Sequence, residues 1–232
     1  MSALTCTVAA VSDVHSPRYL PEFSRALNEL AEKPGIFVMA GDMIDKGRIL
    51  FLEPILSRIK RALGDLPLVA VFGNEEYQDI RGMLRSRYSD ITWLEDEATY
   101  IDCNGVRVAI VGTMGSLQRP TRWQARNLPG IAETYKRRPR LILSLIREAK
   151  KRADKTVLVS HYALSRATIE GEPVTNWPWL YSPRMETVIK EAKPDIAIHG
   201  HAHKGKPFSV LDGVPIYNVA FPLNKKIIII NI

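Results

Sequence analysis

The chain has only two cysteines, Cys6 and Cys103, and only five histidines in 232 residues. So few thiols fit a reducing compartment, and each cysteine lies in an apolar strand context where a small buried thiol is expected. Also missing is an apolar run long enough to cross a bilayer: the isoleucines at 227–230 make a buried strand, not a span. The N-terminal stretch is apolar through Val11 but has no basic segment, and Asp13 follows at once, so it reads as a first strand and not as a signal peptide. No internal repeat and no low-complexity tract interrupts the sequence. Together these absences predict a cytoplasmic protein with no membrane partner.

Apolar residues make up 46% of the chain and charged residues 25%, the balance of a soluble globular protein with enough length to bury a sizeable core. The net charge of +7 favours anionic partners. Much of the excess is local: Arg119, Arg122, Arg126, the run Lys136-Arg137-Arg138-Pro139-Arg140, and Lys150-Lys151-Arg152. With Trp123 and Tyr135 interleaved, this region has the makings of a surface that tracks a phosphate backbone and stacks bases. The plainer account is the solvated face of a charged helix.

Strand and helix patterns alternate from the start. Residues 7–11, 36–40 and 68–72 read as strands, and 20–30 and 49–63 as helices, a βαβαβ run that calls for a parallel sheet with right-handed crossovers. Each strand passes at once into polar residues: Ser12-Asp13-Val14-His15, Gly41-Asp42-Met43-Ile44-Asp45 and Gly73-Asn74-Glu75-Glu76. In such sheets ligands bind at the carboxyl ends of the strands. After a helix near 77–88, short strands follow at 91–94, 99–103 and 106–112, with Asn104-Gly105 as a hairpin turn. Residues 113–132 read as a long irregular loop and 134–152 as a basic helix interrupted or started at Pro139. The strand 156–160 precedes an aromatic loop at 171–182, a helix at 183–192 and a strand at 195–198. The tail, 207–211, 216–219 and 226–230, reads as antiparallel strands turning at Asp212-Gly213. No linker divides this order.

The histidines fall mostly at strand ends. Three close the strand at 195–198 as His199-Gly200-His201-Ala202-His203, one ends the strand at 156–160 as His161, and His15 follows the first strand. Imidazole is the commonest nitrogen ligand for zinc, manganese and iron, and two His at i and i+2 around a small residue can reach two neighbouring ions. Asp13-x-His15, Gly41-Asp42-x-x-Asp45, Gly73-Asn74-Glu75-Glu76, His161 and Gly200-His201-x-His203, in that order, closely resemble the signature of the calcineurin-like metallophosphoesterases. Each motif directly follows a predicted strand, and from 13 to 203 they span nearly the whole chain.

The resemblance implies an α/β fold, a four-layer α/β/β/α sandwich with two mixed β-sheets. It implies a single domain over 1–232, with the basic loop and helix around 113–152 as an insertion. It also implies two divalent metal ions, one held by Asp13, His15 and His203, the other by Asn74, His161 and His201, with Asp42 bridging. A carboxylate suits the bridging place because it can bind two cations, and mixed oxygen and nitrogen ligation suits manganese, iron, zinc or nickel. Two ions about 3.5–4 Å apart neutralise a phosphate ester and supply a nucleophile at neutral pH. The expected activity is hydrolysis of phosphodiesters by in-line attack of a metal-bound hydroxide, on a phosphate-ester substrate that includes nucleotides or nucleic acid. The rival expectation is a catalytically weak metal-binding scaffold for protein or nucleic-acid interaction.

One position departs from the family's pattern. Where the third motif usually has histidine after asparagine, this chain has Glu75. A carboxylate there repels a phosphate dianion, so diesters, which carry one charge less, are expected over monoesters. Neighbouring cations push a carboxylate pKa down, so Glu75 is expected to select substrate rather than donate a proton. His199 has no place in the motif and is expected beside the ligands or in solvent. Asp45 suits orienting a ligand or capping the helix that follows. Trp123, Trp177, Trp179 and Tyr181 either line a pocket or pack under loops.

Overall fold

In the computed structural model, which describes residues 5–232, the short apolar runs become strands covered on both faces. The first four residues of the apolar N-terminal stretch lie outside the described residues. The first half of the chain contains β1 (Thr7–Val11), α1 (Leu20–Asn28), β2 (Ile36–Ala40), α2 (Glu53–Leu63), β3 (Leu68–Val71), α3 (Arg81–Arg87), β4 (Ile91–Leu94), β5 (Glu97–Cys103) and β6 (Val106–Thr113). The second half adds α4 (Arg122–Asn127), α5 (Ile131–Ala149), β7 (Lys155–Ser160), α6 (Pro183–Ala192), β8 (Ile196–His199), β9 (Phe208–Leu211), β10 (Val214–Asn218), α7 (Phe221–Asn224) and β11 (Ile228–Asn231).

Two mixed sheets result. The first runs β11-β1-β2-β3-β4, parallel except for β11; the second runs β5-β6-β7-β8-β10-β9, with β6, β7, β8 and β10 parallel and β5 and β9 antiparallel at its edges. Alternation along the strands sorts the core. In β1, Val8 and Ala10 face inward to meet Val108, Ile110, Val157 and Ile198 of the second sheet. Ala9 and Val11 face outward, in the cluster that holds Phe23 of α1 and Ile55 and Ile59 of α2. On the far side, Ile142 and Ile146 of α5 and Met185 and Ile189 of α6 cover Val111 and Leu158. The layers are therefore α/β/β/α, as expected.

Several details differ from the sequence reading. The tail is not one antiparallel unit: β9 and β10 form a hairpin at the edge of the second sheet, β10 pairs parallel with β8, and β11 crosses to the first sheet beside β1. The physical reason is that a strand pattern carries burial but not destination. The loop at 113–132 contains α4, started by a capping box in which Thr121 accepts from the Gln124 N–H and Gln124 from the Thr121 N–H. Helix α5 passes through Pro139 without a break, anchored by Tyr135 and Arg138 before it and Ile142 and Ile146 after it, all buried.

The cysteines are the main correction. They are not free thiols: Cys6 and Cys103 form a disulfide, with Cα atoms 5.5 Å apart. Each is buried, as its apolar context implies, but Cys6, just before β1, and Cys103, at the end of β5, meet between the two sheets, in the core they share. A reducing compartment no longer follows from the cysteine content.

Candidate metal centre

Both sheets deliver polar strand ends to one rim. Asp13 and His15 follow β1, Asp42 follows β2 and Asn74 and Glu75 follow β3, while His161 follows β7 and His201 and His203 follow β8. Backbone hydrogen bonds tie the strand ends together: the Ser12 N–H to the Val219 carbonyl joins the two sheets, and the Val219 N–H to the His199 carbonyl and the Gly200 N–H to the His161 carbonyl join neighbours of the second. Asp13, His15, Asp42 and His201 all have positive φ, 58°, 43°, 51° and 67°. That conformation is costly for a side-chain-bearing residue and concentrates where function fixes geometry. Two glycines are required by close approach. A Cβ at Gly73 would lie 2.2 Å from Asp42 Oδ1, and one at Gly200 would lie 2.5 Å from Asp13 Oδ2.

The side chains form two groups able to hold a metal ion, Asp13, His15 and His203 in one and Asp42, His161 and His201 in the other. In the first, Asp13 Oδ1 lies 2.9 Å from His203 Nε2 and 3.8 Å from His15 Nε2. In the second, His161 Nε2 lies 3.6 Å from Asp42 Oδ2 and 3.1 Å from Asn74 Oδ1. The groups adjoin: the His201 N–H donates to Asp13 Oδ2 at 2.9 Å, and the His201 ring centroid is 4.9 Å from that of His161.

Two imidazoles have their tautomers set by carbonyls, which can only accept. His161 Nδ1–H donates to the Ala40 carbonyl at 3.0 Å, leaving Nε2 a lone pair aimed into the site. His201 Nε2–H donates to the Trp179 carbonyl at 3.1 Å, leaving Nδ1 free. The His161 lone pair then faces the Asn74 carbonyl oxygen, an arrangement of two acceptors that a cation resolves. Donors each about 2.0–2.2 Å from one ion and at right angles are about 3 Å from one another, which matches the separations of 2.9 and 3.1 Å.

Charge points the same way. Burial pushes the Asp13 carboxyl up, but the His203 hydrogen bond and the nearby His161, His203 and His15 outweigh it and hold it well below the carboxylate range. Burial, with Glu76 and Asp13 nearby, lifts Asp42 well above that range. Burial lowers His15 and His201 and takes His161 down to about 3, so these rings are neutral donors, whereas the Asp13 hydrogen bond outweighs burial at His203 and raises it. Among the described residues, no lysine or arginine forms an ion pair with Asp13 or Asp42. Two buried carboxyl groups with no lysine or arginine partner among the described residues, beside three imidazoles that burial keeps neutral, fit divalent ions of borderline softness.

The profile of the calcineurin-like phosphoesterases matches residues 6–205. The chain belongs to that family. No curated protein matches it. Among solved structures, the phosphopantetheinyl hydrolase PptH of Mycobacterium tuberculosis is similar with a TM-score of 0.66 at 17% identity, covering 92% of this chain and 88% of that one. A 5'-nucleotidase precursor of Thermus thermophilus gives 0.54 at 15% identity over 92% of this chain and 48% of its own. GAP50, the anchor in the inner membrane complex of Plasmodium, gives 0.57 at 12% identity over 94% and 72%. These likenesses concern the fold.

In this calcineurin-like chain Glu75 is half-buried. Its N–H donates to Asp42 Oδ1 at 2.7 Å, and its Oε2 accepts from the Lys46 N–H at 2.7 Å. Asp45 pairs with Arg48 at 2.6 Å rather than with a ligand. His199 is fully buried, not solvated; it bonds the Gly200 carbonyl and Thr168 Oγ1, each at 2.8 Å, and burial takes its pKa down to about 4. Several cations of the basic stretch are engaged by partners other than the ligands. Arg138 is buried against Asp96 and the Gly115 carbonyl, Lys150 caps carbonyls 192 and 193 at the end of α6, and Arg119 stacks on Trp179. Trp177 packs with Ile169 and Leu180, near Tyr181, whereas Trp123 and Trp179 line a cleft beside the site.

Sequence reasoning missed Glu76. Its buried carboxylate accepts four backbone N–H groups: Asp42 and Gly73 on Oε2, both at 2.8 Å, and Met43 and Ile44 on Oε1 at 2.8 and 3.2 Å. It binds the loop after β2 to the loop after β3. Burial lifts its pKa and the four donors oppose the rise. The signal available was an acidic residue next to a loop glycine and asparagine, which is indistinguishable from a solvated loop acid.

Proposed function

We propose that the chain is a dinuclear-metal phosphoesterase acting on phosphodiesters, with residues 1–232 as a single catalytic domain. The observation that carries this reading is the meeting of the two ligand groups at one rim, with Asp42 and Asp13 lacking any cationic side-chain partner among the described lysines and arginines. Asp13, His15 and His203 would hold one ion and Asn74, His161 and His201 the other, with Asp42 between them; manganese, iron, zinc and nickel all suit this donor set. When bound, such a pair provides Lewis acidity toward phosphoryl oxygens and lowers the pKa of water.

The chain's own residues do the rest. The carbonyls of Ala40 and Trp179 keep His161 and His201 in the tautomers that present a lone pair. Glu76 holds Asp42 and Asn74 in register by fixing their loops. Glu75, beside Asn74 on the wall of the cleft, disfavours the dianion of a monoester relative to the monoanion of a diester by like-charge repulsion. A cytoplasmic location belongs to the same proposal, and it requires the buried Cys6–Cys103 pair to survive a reducing surrounding.

The test is a metal-by-substrate screen comparing bis-p-nitrophenyl phosphate with p-nitrophenyl phosphate, with a phosphopantetheinyl ester added because one structural neighbour is named for that group. Metal-dependent turnover abolished by a chelator, with the diester preferred, is expected. Glu75→His should shift the preference toward the monoester, and Glu75→Gln should leave diester turnover largely intact. Two ions bound with no ester turned over would favour the scaffold reading instead.

A further inference from the structure

A cleft of about 1180 Å³ opens from Asn74, Glu75 and His201 and runs beneath α4 and the start of α5. It is slightly larger than the common range for small-molecule sites, about 300–1,000 Å³, so it holds far more than a phosphoryl group. One part of its wall is apolar, with Met114, Leu117, Leu128 and Ile131. Aromatic rings line it as well, among them Tyr77, Trp179 and Trp123 on α4, the last 59% exposed despite its size. The helix that carries Trp123 is tied down, because Gln124 closes the capping box with Thr121 and donates to the buried Tyr162 hydroxyl at 3.0 Å. An exposed indole on an anchored helix, facing a cleft, is a binding surface prepared in advance.

The charges in the wall narrow the ligand further. Three carboxylates line the cleft, Glu75, Asp79 and Glu95, against two guanidinium groups, Arg81 and Arg138. Both cations are already engaged: Arg81 pairs with Glu95 and donates to the Glu76 carbonyl, and Arg138 pairs with Asp96 and donates to the Gly115 carbonyl. Neither of these two guanidinium groups is free to neutralise a second phosphate, and a further cation, Arg119, lies over the Trp179 ring at the edge of the cleft rather than in its wall. A nucleic-acid strand would bring one phosphate per nucleotide along a surface with a slight negative excess.

We propose that this cleft receives the organic half of the substrate, a bulky, uncharged or cationic, amphipathic alcohol esterified to the phosphate, with Trp123 as the residue that selects for it. The proposal rests on the phosphodiesterase reading and excludes polynucleotides. It takes the α4 segment as the specificity element of the site.

The test uses p-nitrophenyl diesters that share a leaving group and differ in the second ester group: methyl, phenyl, 5'-thymidyl, and 5'-thymidyl carrying a 3'-phosphate. With the metal-loaded full chain, kcat/KM should rise at least tenfold from methyl to phenyl or thymidyl and fall at least tenfold when the 3'-phosphate is added. Trp123→Ala should raise KM for the phenyl and thymidyl esters at least fivefold and narrow their advantage over the methyl ester, and Trp123→Phe should restore most of it. Equal kcat/KM across the series, preference for the 3'-phosphorylated substrate, or a Trp123→Ala effect confined to kcat would overturn the proposal. Saturation-transfer NMR with thymidine as an uncharged probe separates the two readings. If no diester is turned over but thymidine still contacts the protein and loses that contact in Trp123→Ala, the catalytic reading fails and the cleft assignment stands; no contact in the wild type sinks the cleft assignment itself.

Discussion

Replacing Glu76 by glutamine would test whether the loops after β2 and β3 are held by one buried carboxylate. The substitution keeps volume and shape but turns one oxygen into an NH2 group. Whichever oxygen is lost, two backbone N–H donors then face another donor: Asp42 and Gly73 on one side, or Met43 and Ile44 on the other. Each buried N–H left unsatisfied costs about 1–3 kcal/mol, so the expected loss is about 4 kcal/mol, a large share of the about 5–15 kcal/mol that holds a domain together. At about 2–4 °C per kcal/mol for a chain of this size, Tm should fall by about 8–16 °C. Because the strained Asp42 backbone is one of the groups released, ion affinity should fall as well. Urea unfolding and calorimetric titration with manganese or zinc measure both. A Glu76→Gln protein within about 1 kcal/mol of wild type, with unchanged ion affinity, would refute the account of these loops.

Asp42→Ala should weaken the binding of both ions, where His15→Ala affects chiefly one; metal analysis at saturation showing two ions retained in Asp42→Ala would remove Asp42 from the bridging place. Reducing Cys6–Cys103, or replacing Cys103 by alanine, opens a loop spanning 97 residues and should cost about 2–5 kcal/mol, read by urea unfolding with and without a reductant. His199 has a folded pKa near 4 against 6.5 unfolded, so the unfolded chain binds its proton first and stability drains away as pH falls from 6.5 toward 4. The loss by pH 5 is about 2 kcal/mol, and His199→Gln should lose correspondingly less between pH 7 and pH 5.

The rim was legible because its chemistry is local. A strand that ends in Gly-Asp, Gly-Asn or Gly-His carries its polar side chain within a residue or two of the strand end, so the spacing put Asp42, Asn74 and His201 at strand ends and the family resemblance supplied their expected role as ligands. His161 could be placed because β7 is apolar up to Ser160. Whatever depended on distant partners was not legible. The disulfide requires Cys6 and Cys103 to meet across 97 residues, and β11 finds its place beside β1 from the far end of the chain. Glu76 acts through backbone groups, which have no signature in side-chain identity. Arg138 looked like one more charge in a basic run, and only the fold shows it turned inward to Asp96.

The proposed ligands come from both sheets, so an ion held by them would be chelated between two halves of the molecule. Asp13, Asp42 and Asn74 come from one sheet, and His161, His201 and His203 from the other. Each half-site therefore sees its complement at an effective concentration set by how firmly the sheets are docked. The Cys6–Cys103 bond lies at the start of β1, the opposite end of the strand from Asp13, so it tethers the halves at a distance from the ions. Cutting it should leave every ligand in place yet weaken the ions' hold, because part of their binding free energy is then consumed in keeping the two sheets together.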